Sequence, residues 1–186
     1  MIVAKLTPSQ TVGPFFAREL LWSDGGKVLF AGPGDRITLT GRVLDGNGAP
    51  VIDALFETWQ ADAAGKLASG GEGARPYGYG RVSTGADGGY AIETVMPGSF
   101  RGPGGETYAP QLSVTIFARG LLKGVQTRVF LAPLDAIKDD PLASAVGDPD
   151  RLRTLVAARD PADPKFYQWD VRLRGAGETV FIEIEI

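Results

Sequence analysis

The side chains in this sequence that could do chemistry are oxygen donors and cations. It contains no histidine and no cysteine. A Ser-His-Asp triad, a thiolate nucleophile, a disulfide and the commonest ligand for catalytic iron, zinc or copper are therefore ruled out. A metal site would have to be built from carboxylates or tyrosinates alone. Glu57 and Asp62 could be drawn as a carboxylate dyad, but the simpler reading has Asp62 capping a turn and Glu57 on a strand edge or in a buried pair. The elements Asp45-Gly46 and Asp87-Gly88 lack EF-hand spacing and read as turns. Gly70 to Gly80 is glycine-rich without the strand-to-helix setting of a phosphate loop. Arg128 stands inside an apolar strand, Val125 to Leu131 (VQTRVFL). A cation there needs an anion, which is either a structural carboxylate or a ligand.

The elements that must position these groups are mostly short strands. Arg36 to Leu44 alternates Ile37, Leu39, Gly41 and Val43 with polar residues, the period of a half-buried strand. Asp45 to Gly48 supplies a turn, and Ala54 to Gln60 follows as a second strand with Phe56, Thr58 and Gln60 on one face and Leu55, Glu57 and Trp59 on the other. Ala61 to Gly80 is a long loop. Arg81 to Ser83 and Tyr90 to Val95, joined at Ala86 to Gly89, read as a hairpin. Gln111 to Arg119 and Val125 to Leu131 are two more alternating strands. Leu152, Leu155 and Val156 predict a short amphipathic helix over Arg151 to Arg159, with Asp148 or Asp150 near its start. Phe166 to Leu173 and Thr179 to Ile186 close the chain as strands. The fold class expected is all-β, a two-sheet β-sandwich with an extended N-terminal arm, long loops and one short helix near residues 150–159.

Length and charge narrow the class further. A chain of 186 residues fits a single domain, residues 1–186, with arm and bend over 1–35 and sandwich core over 36–186. The 26 glycines and 13 prolines argue for many turns. A net charge of −3 gives no field that recruits nucleic acid or an anionic membrane. Met1 to Thr7, interrupted by Pro8, is too short for a signal peptide, and no apolar run approaches the ~18 residues of a membrane span. The expectation is a soluble, cytoplasmic protein. Val12, Phe15 and Phe16 in the proline-broken segment Thr7 to Phe16 would be costly in water, so the arm is expected to lie against its own domain or another chain.

Five segments, in order, carry a resemblance. They are Thr7-Pro8-Ser9-Gln10-Thr11-Val12-Gly13-Pro14-Phe15-Phe16; Gly46-Asn47-Gly48 with Glu57-Thr58-Trp59-Gln60-Ala61-Asp62-Ala63; Phe117-Ala118-Arg119-Gly120; Thr127-Arg128; and Gly175-Ala176-Gly177-Glu178-Thr179-Val180-Phe181. Over nearly its whole length the chain resembles the intradiol ring-cleaving dioxygenases, and within them the alpha-type chains that carry no iron. The resemblance implies an alpha-beta hetero-oligomer in which a homologous beta subunit holds Fe(III) through two tyrosines and two histidines. In this chain the Pro-Gly-x-Tyr ligand motif becomes Pro97-Gly98-Ser99-Phe100, and the His-x-His pair falls on Gln111-Leu112-Ser113. The ligand positions are thus replaced by Phe100, Gln111 and Ser113, and no metal is expected here. The remaining tyrosine position falls near Tyr77 or Tyr79.

By the same resemblance no catalytic residue lies within this chain. Its substrate-binding residues would be Thr11, Gly13, Pro14 and Phe15 of the arm and Arg128 of the strand, at the boundary between the subunits. The family often has Tyr where this chain has Phe15. The implied reaction inserts both atoms of O2 into 3,4-dihydroxybenzoate between its hydroxyl-bearing carbons, giving 3-carboxy-cis,cis-muconate. A flat ring with a carboxylate wants an apolar wall, a close backbone approach and a cation, which the arm and Arg128 could offer. The competing reading is a non-catalytic β-sandwich serving assembly or small-molecule binding.

Overall fold

The computed structural model describes residues 13, 19–73 and 75–183. Its strands are β1 (Arg36–Leu44), β2 (Leu55–Gln60), β3 (Gly71–Glu72), β4 (Arg75–Pro76), β5 (Tyr79–Ser83), β6 (Gly89–Val95), β7 (Phe100–Arg101), β8 (Thr107–Tyr108), β9 (Gln111–Phe117), β10 (Val125–Phe130), β11 (Ala158–Arg159), β12 (Phe166–Gln168) and β13 (Val171–Arg172). Its helices are α1 (Pro141–Val146) and α2 (Pro149–Arg153), with a 3-10 turn at Leu134–Ala136.

Two main sheets form the all-β architecture. In the first, β1 pairs antiparallel with β6 on one side and parallel with β12 and then β13 on the other, and β11 extends it beyond β12. The second runs β10-β9-β2-β5, antiparallel throughout. The alternation in β1 and β9 sends Leu39, Val43, Leu112, Val114 and Ile116 into one core cluster with Phe56, Ile92, Val129 and Trp169. Tyr90 stacks on Phe56 with centroids 3.9 Å apart, and its hydroxyl donates to the Trp169 carbonyl at 2.6 Å. Residues 25–29, expected only as a bend, join the two sheets. Val28 N donates to Glu93 O on β6 while Gly78 and Arg81, beside or on β5, donate to Leu29 O and Gly25 O. Val28 itself is a core residue.

Four expectations are corrected. Arg81 to Ser83 and Tyr90 to Val95 do not form a hairpin, because β5 pairs with β2 in one sheet and β6 with β1 in the other. The turn between them forms as its residues predict, with Asp87 accepting from Gly89 N at 2.9 Å. Thr84, accepting from Ala54 N and donating to Val51 O, turns the chain across the sandwich. The helix expected over 151–159 is α2, which starts earlier at its Asp148 cap and ends at Arg153. Beyond it the backbone pairs with strand edges instead, through Phe130 N to Leu155 O, Ala157 N to Phe130 O, and β11 on β12. A 3,4 spacing over so few residues fits either outcome.

The segment Phe166 to Leu173 is split at Trp169-Asp170. Trp169 turns into the core and donates from Nε1 to Thr154 O at 2.8 Å, while Asp170 pairs with Arg42. Gly41 permits this, since a Cβ there would lie 1.7 Å from the Trp169 carbonyl oxygen. Finally, the described part of Thr179 to Ile186 makes one isolated bridge, Ile182 to Gln126, and is not a full strand. Its backbone and side chains are tied to other groups, with Thr179 Oγ1 accepting from Arg172 N and Val180 N donating to Thr154 Oγ1. Residues 184–186 lie outside the described residues. Helix α1 was not expected, although Asp140-Pro141 before it and Gly147 after it are ordinary start and stop signals.

Candidate functional site

Register in the second sheet builds the site. Ser113 on β9 lies opposite Arg128 on β10 and opposite Trp59 on β2. The three residues therefore form a row across the face turned away from the core, and Gln111, one alternation earlier on β9, shares that face. The short ribbon of β7 and β8 sets Phe100 opposite Tyr108, and their rings stack with centroids 4.9 Å apart and planes at 8°. A cavity of about 230 Å³ is lined by Trp59, Phe100, Tyr108, Gln111, Ser113 and Arg128, among others.

Sequence reasoning singled out Phe100, Gln111 and Ser113 as replaced ligand positions and Arg128 on separate grounds; the structure brings all four into one cavity. It missed Tyr108 and the wall formed by Trp59. Trp59 was legible from its parity opposite the core-facing Phe56 and Thr58. Tyr108 was not, because its pairing with Phe100 rests on strands two residues long.

Two cations line this cavity, the exposed Arg101 on the ribbon and the half-buried Arg128 on the sheet face, and the sheet-face cation is Arg128. Among the described residues it makes no salt bridge. Among the same residues its guanidinium makes one hydrogen bond, from Nη1 to the carbonyl of neighbouring Thr127 at 3.3 Å. Burial lowers its pKa from the ordinary value, and Tyr108 and Asp140 partly offset this. A guanidinium so placed stays charged at neutral pH. The structural ion pair, one of the two readings of Arg128, finds no partner among the described residues.

One lining residue, Gln111, is held by a buried acid. Asp140, 2% exposed, accepts from Ala109 N at 2.8 Å, Leu142 N at 2.9 Å and Gln111 Nε2 at 3.4 Å. It caps α1 and fixes the start of β9 at once. Because Gln111 must turn its amide nitrogen to that carboxylate, its oxygen faces elsewhere. Gln111 is 4% exposed, and its Oε1 has no hydrogen-bond partner among the described residues. The Tyr108 hydroxyl donates to Glu106 Oε1 at 3.2 Å, and burial, then Glu106, raises its pKa.

These donors do not fit a ferric ion. Phe100 offers a ring without oxygen, Gln111 and Ser113 offer neutral oxygens, Tyr108 is held towards its neutral form, and Arg128 adds a positive charge. No group of three or more His, Cys, Asp or Glu side chains able to hold a metal occurs among the described residues. Neither Tyr77 nor Tyr79 lines the cavity. Tyr79 lies on β5, where its hydroxyl accepts from Arg81 Nε at 2.9 Å and burial, with Glu57, raises its pKa.

Glu57 and Asp62 form no dyad. Glu57 accepts from Arg81 Nε at 2.7 Å. Asp62 Oδ1 accepts from Ala64 N and Lys66 N, each at 2.9 Å, as a turn cap. Arg81 also holds the path of the arm: its Nη1 donates to Leu20 O at 2.9 Å, and its guanidinium lies 5.1 Å from the Trp22 ring centroid. Of the arm residues named for substrate binding, Gly13 adopts φ +78°, a left-handed conformation that side chains disfavour. Thr11, Pro14 and Phe15 lie outside the described residues.

The sequence model of the Dioxygenase family matches residues 13–175. The chain is 39% identical to the protocatechuate 3,4-dioxygenase alpha chain of Burkholderia cepacia, over 99% of this chain and 100% of that one. It is 31% identical to the protocatechuate 3,4-dioxygenase beta chain of the same organism, over 78% of this chain and 67% of that one. Among solved structures, 3-chlorocatechol 1,2-dioxygenase from Rhodococcus opacus 1CP shares the fold with a TM-score of 0.63 at 19% identity, covering 89% of this chain and 71% of that one. The chain belongs to the intradiol ring-cleaving dioxygenases. Within that family it is similar along its full length to alpha chains of protocatechuate 3,4-dioxygenase.

Proposed function

We propose that this chain is the iron-free alpha-type subunit of a protocatechuate 3,4-dioxygenase, working in an alpha-beta hetero-oligomer whose homologous beta subunit carries Fe(III). The complex cleaves 3,4-dihydroxybenzoate with O2 to 3-carboxy-cis,cis-muconate, and this chain is inactive alone. The observation that carries the reading is the chemistry at the replaced ligand positions. Phe100, Gln111 and Ser113 share a cavity with the cation of Arg128, a set that suits an organic anion and repels a trivalent metal. Held by the partner, the ferric ion would bind the catecholate and make it reactive towards O2, which is the oxidant.

The contribution of this chain is binding and exclusion of water. Arg128 balances the substrate carboxylate, directly or through water. Gly13 lets the arm backbone approach the ring, Pro14 stiffens it, and Thr11 and Phe15 complete the wall. The chain acts as one domain in the cytoplasm. Among the described residues no helix is long and apolar enough to cross a membrane.

The test is oxygen uptake with 3,4-dihydroxybenzoate. The chain alone should give none, and co-expression with a beta-type chain bearing Pro-Gly-x-Tyr and His-x-His should give full activity. Equal activity with and without the partner would refute the proposal.

A further inference from the structure

The half-buried ion pair of Arg81 and Glu57 does more than join two strands. The two residues stand opposite each other on β5 and β2, and one carboxylate satisfies the charge of a strand arginine. The guanidinium nevertheless makes further contacts. Its Nη1 donates to the carbonyl of Leu20, 61 residues away, at 2.9 Å, and its central carbon lies 5.1 Å from the Trp22 ring centroid. Arg75 on β4 holds the same indole at 5.8 Å, and its Nη2 donates to Lys27 O at 2.5 Å. A Cβ on Gly25 would lie 2.2 Å from the Arg81 carbonyl oxygen, so the bend after the arm runs directly against β5. Leu20 and Leu21 remain 43% and 37% exposed. Burial of apolar surface therefore does not account for this attachment, and what it fixes is a direction.

The anchor and the cavity share one face of the second sheet. Glu57 and Trp59 alternate to the same side of β2. Tyr79 stands between Trp22 and Trp59 and meets their rings edge-on, with centroids 5.9 and 6.1 Å away. Trp59 is a wall of the cavity. Gly13 lies seven residues before Leu20, a reach of at most about 25 Å, so a swing of about 15° at the anchor moves the far end by roughly 6 Å. A misplacement of about 1 Å at a reacting site can cost on the order of a hundredfold in rate. We propose that Arg81, held by Glu57, is a positioning residue for the reaction. By gripping Leu20 and Trp22 it fixes the direction in which the arm leaves the domain, and so the place of Gly13 in the site shared with the beta subunit. The proposal rests on the subunit role and the arm contacts given above. Lysine in place of Arg81 keeps a charge for Glu57 but lacks the planar fork that holds Glu57 and Leu20 O at once, and the flat face over Trp22.

The test is a double-mutant cycle on the full chain assembled with its beta-type partner, read as steady-state oxygen uptake with 3,4-dihydroxybenzoate. Arg81→Lys should lower kcat/KM about tenfold, mostly through KM. Gly13→Ala, which strains a left-handed backbone, should give a loss of about the same size, and adding Arg81→Lys to it should cost less than about twofold more. In the isolated full chain, trypsin should cut the Arg18–Glu19 bond several-fold faster in Arg81→Lys and the rest of the chain at the native rate. Should Arg81→Lys fail to assemble, Trp22→Leu, which removes the ring that Arg81 covers, takes its place in the cycle. Losses that multiply, an unchanged kcat/KM in Arg81→Lys, or equal cleavage at Arg18 would each overturn the proposal and leave the subunit role standing. An unchanged kcat/KM in Gly13→Ala would overturn it together with the place of the arm in the site. Oxygen uptake by this chain without the partner, a separate assay, would sink the subunit role and the proposal with it.

Discussion

Replacing Arg128 by methionine separates the two things an arginine in an apolar strand can be. Methionine keeps much of the apolar stem that packs beside Ser113 and removes the charge. In the folded chain Arg128 loses one hydrogen bond of 3.3 Å to a neighbouring carbonyl and no salt bridge to any described residue. A marginal hydrogen bond is worth about 0.5–1 kcal/mol, and relief of the desolvated charge offsets it. The stability of the chain in urea should therefore stay within about 1 kcal/mol of the native value. Function should respond differently. A charge-assisted contact of about 1.5–3 kcal/mol to the substrate carboxylate corresponds to a fall in kcat/KM of roughly ten- to hundredfold in the alpha-beta complex. Catechol, which has no carboxylate, should change by less than about twofold. A variant that loses about 2 kcal/mol or more of stability while its KM for the acid stays constant would return Arg128 to a structural role and refute the reasoning.

Asp140→Ala removes the cap of α1 and leaves Ala109 N–H buried without its acceptor. The expected cost is about 3 kcal/mol in urea denaturation, and a loss under about 1 kcal/mol would contradict the assignment. Tyr90→Phe removes the hydrogen bond to Trp169 O and should cost about 1 kcal/mol near neutral pH. Burial, with Asp170 second, raises the pKa of Tyr90 above its ordinary value of 10.0. The stabilisation is therefore complete below that pH and lost as pH rises through the folded-state value. Urea titrations at about pH 8 and about pH 11 should show the gap between native chain and variant narrowing at the higher pH; a gap that widens would reverse the sign of this account.

The strands were legible wherever one face is buried and the other is not. In β1 the alternation of Ile37, Leu39 and Val43 defines the strand found, Arg36–Leu44, because a slip by one residue would expose the whole set. Pairing was less legible. The turn at Asp87 forms as its residues dictate, yet local turn chemistry carries no information on which sheet each arm joins. Thr84 makes that choice through contacts with Val51 and Ala54, which are remote in sequence. The split at Trp169 likewise depends on a close approach to Gly41. In the site, the chemistry of Phe100, Gln111, Ser113 and Arg128 could be named from sequence. Their meeting in one cavity, and the roles of Tyr108 and Asp140, required the ribbon of β7 and β8 and the cap of α1 to be seen in place.

The central claim is that the ferric centre belongs to another polypeptide. The most direct test is metal analysis with the visible spectrum of the separated chains of the co-purified complex. Iron and the burgundy absorption of tyrosinate-bound Fe(III) should follow the beta chain, with this chain colourless and metal-free. Stoichiometric iron and that absorption in the isolated 186-residue chain, together with opening of a catechol ring, would contradict the account.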